Sequence, residues 1–188
     1  VGSAHELKIT LRKADWEIGD IAKMAQDVKL CQQIRAVLRV HAKIEMIINL
    51  VDCDAAPFLP EGWDGVEEHK KGGQLAFDAS KVDLYLSTCQ TEGKKWIGGH
   101  DLRKELADKQ VLNANVLDYL LAHPELIPDA WNGKYIYFWG TIYRDSVGSL
   151  YVRCLYWGVG RWRWCCGWLD FSLWNSGSPA AVSASSSA

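Results

Sequence analysis

Five of the ten tryptophans in this 188-residue chain fall between Trp157 and Trp174, a density that a hydrophobic core does not need. The segment from Trp157 to Pro179 reads W-G-V-G-R-W-R-W-C-C-G-W-L-D-F-S-L-W-N-S-G-S-P. Between the indoles stand chemically incoherent residues, ordered by no helical or strand period. Lys and Glu, the usual residues of a solubility-selected surface, are absent from this stretch, and so are Gln and Met. Large rings in fixed places with mixed small residues between them imply a rigid frame carrying exchangeable positions.

Upstream of this segment the chain has a β pattern. Tyr135, Tyr137 and Trp139 alternate with Ile136 and Phe138, which predicts a strand with two distinct faces. Asp145 to Gly148 predicts a turn, Leu150 to about Trp157 a second strand, and Gly158-Val159-Gly160 another turn. Trp162 and Trp164 then point the same way on a third strand. The tail after Pro179 is small and polar, and residues 183–188 are expected to be loose.

Earlier segments mix the two classes. Leu7, Ile9 and Leu11 alternate with polar residues and predict a short strand. From about Ile21 to Val51, apolar residues recur at three- and four-residue steps. Ile21, Met24, Val28, Cys31, Ile34 and Leu38 give one or two helices, with Ile44, Ile47 and Ile48 extending a face that covers the chain's own core or a partner. The irregular stretch from Ala55 to Gly62 marks a boundary. Val82, Leu84 and Leu86 predict a strand, and Leu102 and Leu106 a short helix after Gly98-Gly99. Asn113 predicts a helix N-cap, Leu112 and Leu117 its hydrophobic staple, and Pro124 its stop. The order is α+β, divided into residues 1–55 (N-terminal strand and helical segment), 56–182 (main domain) and 183–188 (tail).

Composition removes several functions. The net charge of −2 disfavours a general nucleic-acid or anionic-membrane binder. No apolar run reaches membrane-spanning length and no leader peptide is evident, which predicts a cytoplasmic or surface-associated protein with reduced thiols. None of the six cysteines forms a Cys-x-x-Cys pair, so no zinc knuckle and no cofactor is expected. Cys165 with one of His5, His41, His69, His100 or His123 is a weak nucleophile–base candidate lacking any motif. Gly158-x-Gly160 lacks a third glycine and opens no helix. Gly98-Gly99-His100-Asp101 reads as a helix start, and Lys70-Lys71 as a solvated pair. The chain is therefore expected not to be an enzyme.

The absent residue types have a genetic counterpart. Randomising both adenines of an asparagine codon yields only codons ending in a pyrimidine, which never encode Lys, Glu, Gln, Met or Trp. The tryptophan codon holds no adenine and survives. The segment is what adenine-targeted mutagenesis of an asparagine-rich template leaves behind.

Three blocks then carry a resemblance: Leu112 to Pro124 (LNANVLDYLLAHP), Tyr137 to Arg144 (YFWGTIYR), and the tryptophan ladder with Pro179-Ala180-Ala181-Val182. Together, across about 82–182, they resemble proteins of candidate-phylum bacteria that end in a hypervariable segment, similar to the variable proteins of diversity-generating retroelements. That resemblance implies a C-type-lectin-like domain with two short helices and antiparallel hairpins. It also implies a surface rewritten by error-prone reverse transcription, and a protein or surface ligand that differs between variants. The chain lacks the Glu-Pro-Asn calcium motif of sugar-binding lectins and the Gly-Gly-Ser-Trp signature of some lectin-fold variable proteins.

Combining the residue pattern with the resemblance assigns Trp157, Arg161, Trp162, Trp164, Trp168, Leu169, Asp170 and Trp174 to the scaffold. Gly158, Val159, Arg163, Cys165, Cys166, Gly167, Phe171, Ser172, Leu173, Asn175, Ser176, Gly177 and Ser178 form the ligand-facing set, with Phe171, Leu173 and Arg163 as the principal contacts. The alternative is an aromatic platform for carbohydrate or single-stranded nucleic acid, built on exposed tryptophans with Arg161 and Arg163. The N-terminal helix is a candidate for oligomer assembly.

Overall fold

The computed structural model describes residues 3–39, 50–92, 95–170 and 173–184. The chain divides into two compact units between Ile47 and Ile48.

The first unit is helical throughout its described length. Helix α1 (Ser3–Lys13) replaces the strand predicted on Leu7, Ile9 and Leu11. Leu7 and Leu11 lie one helical turn apart, Glu6 sits in the first turn, and Arg12 and Lys13 in the last, where each charge opposes the helix dipole. The long periodic stretch is two helices, α2 (Ile18–Gln26) and α3 (Val28–Leu38). Asp27 breaks them: its carboxylate accepts from the backbone N–H of Leu30 at 2.9 Å, capping α3 and diverting the chain. Neither α2 nor α3 buries a residue, so their apolar positions cover no core of their own. Ile44, Ile47 and Ile48 lie outside the described residues. Leu50 and Val51, read as helical, begin the second unit as strand β1 (Leu50–Asp52).

The boundary precedes the predicted one because β1 pairs antiparallel with β3 (Gln74–Ala76), which makes it part of the second unit. That unit is α+β. Its remaining elements are β2 (Trp63–His69), β4 (Val82–Tyr85), α4 (Thr88–Thr91), β5 (Ile97–Gly98), α5 (Gly99–Glu105), α6 (Ala114–Ala122), β6 (Ile136–Asp145), β7 (Leu150–Gly158), β8 (Arg161–Trp168), β9 (Leu173–Trp174) and β10 (Ala180–Ser183). The main sheet runs β4-β10-β6-β7-β8, and β2 pairs with the distal half of β6. Two short pairs, β1–β3 and β5–β9, lie outside it.

The predicted helix starts hold. Asn113 caps α6 through its side-chain oxygen, and α5 opens at Gly99. Asn113 does more than cap: its Nδ2 donates to the carbonyls of Cys53 (2.8 Å) and Lys70 (3.0 Å), tying α6 to the β1 and β2 ends.

Strand β6 is buried on both faces, as its two-sided alternation predicts. Tyr137 and Trp139 enter one core with Leu102, Val152, Leu169 and Trp174. Ile136 and Phe138 enter the other with Leu117, Leu120, Leu155 and Trp131. Strand β10 runs inside the sheet and carries the order one residue into the segment expected to be loose, to Ser183. Ala180, Ala181 and Val182 are buried, β10 lies antiparallel to β4 and parallel to β6, and Ala184 N–H bonds to Lys81 C=O at 2.8 Å. Small side chains suit that place because the cores on both sides are already filled. Residues 185–188 lie outside the described residues.

Candidate functional site

The candidate site is the β7–β8 hairpin with the returning segment 173–178. Val159 (φ 53°) and Gly160 (φ 73°) both adopt left-handed backbone, the two-residue turn whose twist matches the flanking strands. Eight consecutive antiparallel pairs lie beyond it, from Gly158↔Arg161 to Tyr151↔Trp168. The third strand expected from Trp162 and Trp164 is present and runs regularly through 161–168. Its alternation is masked because glycine, cysteine and arginine fill one face and tryptophan most of the other.

Directly opposed residues share a face. On one face Tyr151, Arg153, Leu155 and Trp157 oppose Trp168, Cys166, Trp164 and Trp162. On the other, Val152, Cys154, Tyr156 and Gly158 oppose Gly167, Cys165, Arg163 and Arg161. This division corrects the scaffold assignment. Trp174 and Leu169 are buried in the core, as expected of scaffold. Trp162 and Trp168 are half-buried. Trp157 and Trp164 are exposed at 42% and 37%, because helix α6 covers only part of their face. Arg161 is also exposed. Asp170, though exposed, fastens two elements: its carboxylate accepts from Trp168 Nε1 at 3.1 Å and lies 2.8 Å from His100 Nε2.

The ligand-facing set divides as well. Val159, Cys166, Leu173, Asn175 and Ser176 are exposed; Gly158, Arg163, Gly177 and Ser178 are half-buried. Gly167 is buried and closed to any larger residue: a Cβ there would stand 2.7 Å from the Trp174 ring and 3.0 Å from that of Tyr137. Cys165 is not a free contact but forms a disulfide with Cys154 across the hairpin, which also overturns the expectation of reduced thiols and removes the nucleophile candidate. Cys31, Cys53, Cys89 and Cys166 are free. Phe171 and Ser172 lie outside the described residues.

The returning segment is fastened through its backbone. Gln90, 1% exposed, donates from Nε2 to the carbonyls of Asn175 (2.8 Å) and Ser178 (3.2 Å). Its Oε1 accepts from Ser87 N–H, and Ser87 Oγ donates to Glu105. Tyr135 N–H donates to Gly177 C=O and Tyr137 N–H to Pro179 C=O. The Asn175 side-chain oxygen accepts from Gly177 N–H at 2.8 Å. Beneath the loop, burial pushes the pKa of the Tyr137 hydroxyl up to about 12, helped by Cys166 and Tyr135.

Sequence reasoning missed Gln90, although the Ser87-x-x-Gln90 spacing is that of a capping box. It also missed Arg153. This side chain, 1% exposed, makes a two-pronged pair with Asp118 of α6 at 2.6 and 3.0 Å. Its guanidinium also lies 4.5 Å from the Trp164 ring centroid and 5.2 Å from that of Phe58. An aromatic array continues from there: Trp63 stacks on Tyr151, Tyr151 on Trp168, and Trp164 meets Trp63 edge-on. Nothing in the local sequence around Arg153 announces a buried charge.

Among the described residues no group of three or more His, Cys, Asp or Glu side chains is placed to hold a metal, and no helix is long and apolar enough to cross a membrane. The chain matches no family model, no curated protein and no solved structure.

Proposed function

We propose that the second unit is a C-type-lectin-like binding domain whose C-terminal surface is diversified by adenine-targeted retroelement mutagenesis, and that it recognises a protein or surface ligand without acting as an enzyme. One observation carries this reading. The backbone of Asn175–Ser178 is held from behind by the buried amide of Gln90, while Leu173 and Ser176 turn their side chains outward. Main-chain anchoring is indifferent to side-chain identity, so such a surface can be rewritten at costs of about 0.5 kcal/mol or less per exposed position.

Val159 supports the same reading. A β-branched residue at φ 53° is strained, and the turn it occupies strongly prefers Asn-Gly. Asparagine is the template residue from which adenine mutagenesis reaches valine. The turn therefore fits an ancestral asparagine before Gly160 better than the valine it now holds. Gly167 and Cys165 depart from the free-exchange pattern, which among the described residues confines exchange to Val159, Arg163, Cys166, Leu173 and residues 175–178. The N-terminal helices, with their exposed apolar positions, suit assembly of several such surfaces.

The test is the neighbouring DNA. The reading requires a reverse-transcriptase gene beside a near-copy of the 3′ end, differing from it only at template adenines. Mismatches spread over all four bases, or no such copy, end it. A second reading, an aromatic carbohydrate platform, draws on the exposed rings of Trp157, Trp164 and Phe58. It requires iodide quenching of tryptophan fluorescence that added glycan relieves.

A further inference from the structure

We infer that the outer edge of β8 is a docking strip for an extended polypeptide segment with alternating acidic and apolar residues, which joins the sheet as an additional strand. The added-strand geometry uses main-chain groups and is independent of diversification, whereas the acidic character of the occupant belongs to this variant, because Arg163 is among the positions proposed to vary.

Strand β8 ends the main sheet, and among the described residues it pairs only with β7. The two-residue turn makes Gly158 and Arg161 the hydrogen-bonded pair, so such pairs recur at Tyr156–Arg163 and Cys154–Cys165. It follows that the N–H and C=O groups of Trp162, Trp164 and Cys166 point away from β7. No backbone hydrogen bond among the described residues uses them.

Proteins normally blunt such an edge with charged side chains, Pro, a bulge or brevity. The opposite edge, β4, is four residues long and carries Asp83. β8 has eight residues, no Pro and an unbroken register, and its two charges, Arg161 and Arg163, stand on one face only. A groove of about 560 Å³ runs beside it, lined by Leu121, Pro124 and the side chains of 161–164.

Charge decides the occupant. Arg161 and Arg163 project from one face of β8, and neither has an acidic partner among the described residues. The Nε of Arg163 is buried without a hydrogen-bond acceptor. Trp162 and Trp164 line the other face beside Leu121 and Pro124. An added strand presents alternate residues to these two faces, acidic to the arginines and apolar to the indoles.

The test is fluorescence anisotropy with a fluorescein-labelled octapeptide of alternating Glu and Val, titrated with the full chain. Two further peptides carry N-methyl groups on all Glu or on all Val nitrogens, and a fourth has Lys for Glu. The Glu–Val peptide is expected to bind. One N-methylated form should retain binding and the other lose it, since only one edge of the added strand meets β8. The Lys–Val peptide should bind roughly ten-fold or more weakly. In the Arg161→Glu/Arg163→Glu double variant, with its folding checked by circular dichroism, that preference should reverse. No binding of the Glu–Val peptide, equal binding of both N-methylated forms, or an unchanged preference in the double variant overturns the proposal. So does sedimentation showing that a second copy of the chain already occupies the edge.

Discussion

The side-chain amide of Gln90 donates to the main-chain carbonyl of Asn175 at 2.8 Å, across 85 positions of sequence. A buried side chain from a short helix thereby fixes the path of a surface loop without touching its side chains.

Gln90→Ala is expected to destabilise the protein by about 1–3 kcal/mol, because the carbonyls of Asn175 and Ser178 lose a buried donor. Urea denaturation measures the loss. Protease cleavage near residues 175–178 should rise in the same variant, while the hairpin stays protected.

The two halves of the supposed exchangeable set should separate under mutation. Gly167→Ala forces a Cβ into the Trp174 and Tyr137 rings and should cost about 1–3 kcal/mol. Ser176→Asp, on the exposed segment, should stay within about 0.5 kcal/mol. Val159→Asn relieves left-handed strain and should raise stability by about 1 kcal/mol. Thermal midpoints of the three variants rank them, and a destabilising Val159→Asn would contradict the turn geometry.

The Cys154–Cys165 bridge closes a loop with a sequence separation of 11. Its reduction, or Cys165→Ser, should lower stability by roughly 2–4 kcal/mol. Thermal unfolding with and without reductant checks this, and mass spectrometry of the unreduced digest should recover the linked peptides.

Asp118→Ala strips the partner from a guanidinium that is 1% exposed. Leaving that charge unpaired should cost about 3–5 kcal/mol. The apolar exchange of both residues, Asp118→Leu with Arg153→Met, should recover much of the loss, as read by urea denaturation of the single and double variants.

Tyr137 contributes to the alkaline limit, alongside Tyr85. Its hydroxyl has an ordinary value of 10 and is held at about 12 in the fold. The folded state therefore keeps a proton that the unfolded chain gives up. The contribution is nil below pH 10, where both states hold the proton. Here the unfolded chain ionises first, so stability falls as pH rises from 10 to 12, by about 3 kcal/mol at most. Tyr137→Phe should flatten the stability curve across that window. An unchanged slope would assign the loss elsewhere.

The sequence is most readable where local chemistry suffices. The Asn113 cap, the Pro124 stop, the Asp145–Gly148 turn and the two faces of β6 need only neighbours along the chain. It misleads where alternation and helical spacing overlap, as at Leu7, Ile9 and Leu11. It misleads again where a tryptophan's large area is taken to guarantee burial. Trp174 is enclosed because Gly99 and Gly167 make room for it. Trp157 and Trp164 have no such cover on an edge hairpin. Gln90, Arg153 and the Cys154–Cys165 bridge depend on partners distant in sequence or across a strand, which no local pattern specifies.

Strand β10 is laid between β4 and β6, and it is made after every position proposed to vary. The sheet cannot close until Ala180–Ser183 have left the ribosome. A copying error that shifted the reading frame within 157–178 would replace those small residues and leave β4 and β6 without their common neighbour. Frame-damaged products would then fail at the last step of folding, so the only surfaces displayed would be those whose genes kept their frame to the end.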